Sequence, residues 1–245
     1  MPRFFVSKDR INNSIIEIVE PDSRHIARSL RMAEGDLVTL CDGEGKEYLC
    51  KLTRIRDEIC TAEIESEIVS KSEPDMEITL FMAFPKGDKL ETVIQKAVEL
   101  GATKIVPFES SRCIKRPKAE KADKQTSRLM RIAEEAAKQC GRAKIPTVSL
   151  PVSFKEMLSL ARSSDLSLLC YENEEGLDIK SALKKTNKPD SVSVIVGSEG
   201  GFSQEEVDLA TAAGCLSVSL GNRILRCETA PLYALSALSY EYELG

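Results

Sequence analysis

The sequence predicts an α/β protein in which a small β-rich unit precedes a larger domain built on a parallel sheet. Three observations carry this reading. Up to about residue 70 the chain is dominated by short runs with partial period-two alternation. Beyond that point, continuous apolar runs alternate with segments of helical period, the rhythm of βαβ units. Between the two textures lies Ser70–Asp75, an acidic, apolar-poor stretch containing Pro74, which reads as a linker.

The elements follow in order. His25–Met32 reads as a short helix ahead of Gly35. Leu37–Leu40, Glu47–Ile55 and Ile59–Ile68 read as strands, the first two parted by the turn Asp42-Gly43-Glu44-Gly45. Ile78–Phe84 is apolar throughout, as expected for a strand buried on both faces. Asp88 stands three before Glu91, a capping-box spacing. Leu90, Val93, Ile94, Ala97 and Val98 then repeat at helical intervals until Gly101. Lys104–Phe108 is the next strand, and a basic, partly helical stretch runs from about Lys121 to Gln139. Leu166–Tyr171, Val192–Val196 and Leu216–Leu220 are the remaining strands. A short helix near Ile179–Lys184 lies between the first two of these, and a helix capped by Ser203 and Glu206 and ended by Gly214 lies between the last two. Ala230–Glu243 closes the chain as a helix with Pro231 in its first turn, where a missing N–H costs little. Leu232, Leu235 and Leu238 on it suit a core or an interface.

Composition narrows the function. The 245 residues include one His, His25, so neither a two-His metal site within one chain nor a His-based triad is expected. The eight cysteines form no CxxC pair, which suits buried thiols in a reducing cytosol rather than zinc or a disulfide framework. No stretch reaches the ~18 apolar residues needed for a membrane span, and the N-terminus lacks a signal-like apolar core. The net charge of -5 argues against a nucleic-acid partner only as an average. Asp57 to Glu77 holds eight acids against one base, whereas Arg112 to Arg131 holds eight bases against two acids. Local fields, rather than the mean, govern a polyanion's approach.

Three loops follow the carboxyl ends of expected parallel strands, where open α/β sheets place their ligands. They are Tyr171-Glu172-Asn173-Glu174-Glu175, Gly197-Ser198-Glu199-Gly200-Gly201 and Gly221-Asn222-Arg223-Ile224-Leu225-Arg226. The second matches neither the phosphate-binding GxxxxGK[ST] loop nor the dinucleotide GxGxxG pattern. It does lead into a helix N-terminus, which favours a carboxylate or phosphate. By composition alone, Ile224 and Leu225 fit core docking and pocket lining equally well.

VGSEGGFSQEEVDLA followed by SLGNRILRCETAPLYAL resembles the SPOUT class of S-adenosylmethionine-dependent RNA methyltransferases, and within it the bacterial 16S rRNA uracil-N3 methyltransferase (RsmE-type) family. MPRFFV, HIARSLR from His25 to Arg31, and FPKGDKLETVIQKAVELG from Phe84 to Gly101 agree, so the resemblance covers nearly the whole chain. Ser198 departs from the family's usual Pro. The resemblance implies a PUA-like RNA-binding β-barrel over residues 1–71 and a parallel-sheet SPOUT domain with a C-terminal trefoil knot over 72–245. It implies S-adenosyl-L-methionine as cofactor, held by Leu169, Gly197, Glu199, Gly200, Leu220, Gly221, Ile224, Leu225 and Ala230. It also implies a homodimer in the cytoplasm, acting on 16S rRNA or the small ribosomal subunit at N3 of uridine 1498. Another SPOUT reaction, such as ribose 2′-O transfer, and a non-catalytic RNA-binding assembly factor are the alternatives. Arg226 and Glu228 are the candidate catalytic side chains, with Glu228 better suited to hydrogen bonding than to acting as the base. Phosphate contacts are expected from Arg3, Arg10, Arg24, Arg28, Arg31, Lys86, Lys89, Arg112, Lys115 and Arg116. No metal is expected.

Overall fold

The computed structural model describes residues 1–114 and 119–244, with side chains omitted at 119–121. Lys115 and Arg116 therefore lie outside the described residues. The chain forms two compact units, residues 1–73 with 137–145, and residues 74–136 with 146–245.

The first unit opens with β1 (Arg3–Phe5), a 3-10 turn at Lys8–Arg10, β2 (Ile11–Asn12) and β3 (Ile15–Val19). Next comes α1 (Asp22–Arg24), running into a π-helical turn at His25–Ser29. β4 (Leu37–Cys41), β5 (Glu47–Arg54) and β6 (Ile59–Ile68) complete it. The six strands form one sheet in the order β1-β4-β5-β6-β3-β2. The β1–β4 pair is parallel and the others are antiparallel. Phe4 of β1 and Ile16 and Ile18 of β3 share one core with Val38, Leu40, Cys50, Leu52, Cys60 and Ala62. In a flat sheet β1 and β3 would stand about 19 Å apart, four spacings of about 4.8 Å. A common core therefore requires the sheet to curl. Ile26 fills that core, while the exposed His25 ring meets Phe4 edge-on at 6.3 Å between centroids.

The segment 137–145 joins this unit through buried charge. Arg142, 3% exposed, donates to Glu73 Oε2 at 2.8 Å, and Glu73 Oε1 accepts from the Ala143 and Lys144 amides at 2.8 and 3.0 Å. Lys138 reaches Asp22 at 3.4 Å. Desolvation alone would raise the Glu73 pKa, but the guanidinium and the two amides outweigh it and hold the carboxyl below the ordinary glutamate value.

The second unit alternates strand and helix. Its elements are β7 (Glu77–Ala83), α2 (Lys89–Glu99), β8 (Lys104–Glu109), α3 (Ala119–Cys140), β9 (Thr147–Val148), β10 (Val152–Ser153) and α4 (Phe154–Ala161). They continue through β11 (Leu166–Cys170), α5 (Ile179–Lys185), β12 (Ser191–Val196), α6 (Gln204–Ala212), β13 (Leu216–Val218) and α7 (Ala230–Tyr242). The sheet runs β10-β8-β7-β12-β11-β13, with β9 also on β8, and every pairing in it is parallel. β11 is buried along its whole length and β12 nearly so, which explains their unbroken apolar runs. α2 buries the five apolar residues whose spacing marks it. The capping box forms at Ser203–Glu206 but not at Asp88. Asp88 has φ −100° and ψ 12° rather than the extended backbone an N-cap needs, and its carbonyl, not its side chain, accepts from the Glu91 amide. α7 packs on α2, α5 and β12, burying Leu235 and Leu238 while Leu232 stays half-buried.

Candidate functional site

β12, β11 and β13 lie side by side and point the same way, so the loops after them meet at one sheet edge. There they enclose a cavity of about 560 Å³, within the range of small-ligand pockets. Gly197, Glu199, Gly200, Leu220, Gly221, Ile224, Leu225, Ala230 and Arg226 all line it. Leu169 does not: it is fully buried within β11, and its successors Cys170 and Tyr171 form the wall. Glu228 stands just outside the lining, bonded to residues within it.

The glycine loop is shaped by its neighbours. The Gly201 amide donates to the Ser198 carbonyl at 2.9 Å, closing a tight turn. Gly201 holds φ +62°, and a Cβ there would fall 1.9 Å from Glu172 Oε1. A Cβ on Gly200 would fall 2.9 Å from Arg112 Cβ. The loop is therefore a close-fitting cradle of backbone groups leading into α6.

One cation ties two of the loops together. Lys89 Nζ, at the start of α2, lies 3.0 Å from Glu199 Oε1 and 3.3 Å from Glu228 Oε2. Glu199 also accepts from the Lys86 amide at 3.0 Å. The bond to Glu199 raises the Lys89 pKa, with Glu228 adding to it against partial desolvation. Desolvation would raise Glu199, but Lys89 and nearby amides prevail and keep it below the ordinary glutamate value. Glu228 is likewise held low against desolvation by its own amide, Cys227 and Lys89. The Cys227 thiol donates to Glu228 Oε2 at 3.2 Å, and burial first, then that bond, pushes its pKa up to about 12. At neutral pH the cluster thus holds two carboxylates, one ammonium and a protonated thiol.

The expected phosphate-binding cations separate into groups. Arg3 is largely buried against Glu47 at 3.0 Å. Arg10 pairs with Glu17 at 3.1 Å, Arg24 with Glu20, and Arg28 with Asp57. Arg31 and Lys86 are exposed. Arg112 donates to the Gly200 carbonyl at 2.9 Å. Lys89 is a cavity residue rather than a free surface charge. Ser219 and Cys227 also line the cavity without a signal read from sequence, whereas Tyr171, Glu172 and Arg223 lie in the loops the sequence marks but carry no assigned role there. Their positions just beyond strand ends were the available signal.

Comparisons with known proteins bear on what this cavity serves. Residues 71–239 match the RNA methyltransferase domain family, and residues 20–65 match the RNA methyltransferase PUA domain family. The ribosomal RNA small subunit methyltransferase E of Bacillus subtilis is 35% identical over 252 aligned positions, spanning 100% of this chain and 98% of the relative. That of Synechocystis is 32% identical, spanning 97% and 77%. The crystal structure of the corresponding Neisseria gonorrhoeae protein, bound to S-adenosyl methionine, superimposes with a TM-score of 0.86 at 33% identity, covering 98% of this chain and 97% of that one.

Proposed function

The chain belongs to the ribosomal RNA small subunit methyltransferase E family, and from that premise we propose that it methylates N3 of uridine 1498 in 16S rRNA, using S-adenosylmethionine bound in the cavity of the parallel-sheet unit. The observation that carries this is the convergence of three strand-end loops around about 560 Å³, with the close-fitting Gly200–Gly201 cradle at its rim. Gly197, Gly200, Leu220, Gly221, Ile224, Leu225 and Ala230 would surround the donor, with Leu169 supporting them from beneath. When bound, the donor supplies an electrophilic methyl group.

The chain's own residues do the rest. Backbone groups of the glycine loop and apolar side chains from the third loop fix the donor, and alignment of the reacting atoms supplies much of the rate. Uracil N3 carries a proton and is a poor nucleophile until it loses it. Arg226, exposed at the cavity, is placed to favour the negative charge that builds on the ring as the N3 proton passes to bulk water. Glu228 is a weak base because it is held ionised, so its role is to position Lys89. Residues 1–71 act as the RNA-binding unit and 72–245 as the methyl-transfer domain, whose last helix is threaded through the family's knot. Exposed Arg31 and Lys86, with Arg10, Arg24 and Arg28, contact phosphates. Their surface ion pairs are weak enough to exchange partners. Tyr233 and Tyr240 on α7 remain exposed, which supports a homodimer formed through that helix. The protein acts in the cytoplasm, and among the described residues no helix is long and apolar enough to cross a membrane. Nucleoside mass spectrometry of 16S rRNA from cells lacking the protein tests the reading. Loss of 3-methyluridine is the expected result, and an unchanged level overturns it.

A further inference from the structure

The loop after β8 lies directly against the glycine loop. Arg112 Nη1 donates to the Gly200 carbonyl at 2.9 Å. The space a Cβ would need at Gly200 is taken by Arg112 itself, its Cβ at 2.9 Å and its carbonyl oxygen at 3.3 Å. Ser198 Oγ stands 3.5 Å from that same carbonyl. The β8 loop is in turn held from beneath. Glu206, 6% exposed, accepts the Ser111 amide on Oε1 at 2.7 Å and the Ser203 amide on Oε2 at 3.0 Å. One buried carboxylate therefore fastens both the start of α6 and the residue before Arg112. The glycine loop is gripped between them.

We propose that Arg112 is a positioning residue for the donor site, clamping the Gly200 carbonyl so that the glycine loop keeps its binding shape, with Glu206 as the anchor of the clamp. That the loop holds the methyl donor rests on the function proposed above. The clamp itself is a property of the ligand-free protein. A guanidinium serving only as a phosphate contact would have no effect until RNA arrived, whereas the clamp acts without RNA.

Two measurements on Arg112→Met, which keeps the stem and removes the donors, and on Arg112→Lys test this. In hydrogen–deuterium exchange of the free protein, the peptide over residues 197–203 should exchange faster in Arg112→Met. Calorimetry with S-adenosylhomocysteine and no RNA should show a Kd raised about fivefold, the size of one ordinary net hydrogen bond. Arg112→Lys, still able to donate once to Gly200, should recover part of both effects. At saturating donor the KM for rRNA should change less than about twofold. Unchanged exchange in Arg112→Met overturns the proposal. So does an unchanged donor Kd alongside a raised KM for RNA, which would make Arg112 a phosphate contact. If the wild-type protein fails to bind S-adenosylhomocysteine, the donor reading fails, while the exchange comparison still decides the clamp.

Discussion

Replacing Gly201 by alanine sets two costs against each other at a single Cβ. The position holds φ +62°, where an L-residue carries about 1–2 kcal/mol of strain. The new Cβ would also meet Glu172 Oε1 at 1.9 Å. That oxygen ends an exposed, flexible side chain, so turning it aside costs on the order of 0.5 kcal/mol. The backbone cost therefore dominates. If the strained loop relaxes in the free protein, binding must restore it, and the Kd for S-adenosylhomocysteine should rise about five- to thirtyfold. Calorimetry on Gly201→Ala, Glu172→Ala and the double variant separates the two costs. The double variant should recover less than about threefold of the loss, after allowance for the effect of Glu172→Ala alone. Full recovery would refute the backbone account, and an unchanged Kd in Gly201→Ala would refute the cradle.

Lys89→Met removes the cation shared by Glu199 and Glu228. Both carboxyl pKa values should rise in carbon-13 NMR, and unchanged values would remove Lys89 as the cause of their depression. Glu73→Ala removes the acceptor of the Arg142 guanidinium and of the Ala143 and Lys144 amides and should cost about 1–3 kcal/mol in urea unfolding. Because the folded Glu73 pKa is depressed, its contribution is present above the unfolded value and fades as pH falls through the folded one. A pH series should therefore show the wild-type advantage over Glu73→Ala shrinking only on the acid side. Cys170 and Cys227, each pushed up to about 12, should resist iodoacetamide at pH 8 in the native protein and react once it is unfolded. Arg226→Ala should lower turnover without shifting Tm, since its side chain is exposed, and wild-type activity would remove it from the mechanism.

The second unit was the more legible in sequence because its signals are local. The apolar runs of β11 and β12 and the Ser203–Glu206 box each declare an element within a few residues. The same spacing at Ser153–Glu156 caps α4 and went unread, hidden by the short strand before it. β1, β2 and β3 were missed for another reason: they have two to five residues each, too few for alternation to stand out. Asp88 shows the reverse failure, a correct spacing without the backbone to use it. The cavity loops were readable from their place after strand ends. Lys89 was readable as a charge but not as the tie between Glu199 and Glu228, because residues far apart in sequence meet there only through the sheet order.

The return of residues 137–145 to the first unit bears on how the protein is made. When the ribosome has released residue 73, the curled sheet has all its strands, but Glu73 has no guanidinium and Asp22 has no lysine. Both partners emerge only as synthesis passes residue 142. At about 5–20 residues per second, that leaves an interval of roughly 4–15 s after the last strand. During it the nascent unit carries a carboxylate it cannot yet bury in paired form. The last ion pairs of the N-terminal unit thus wait on residues 138–142, at and just beyond the end of a helix that belongs mostly to the other half.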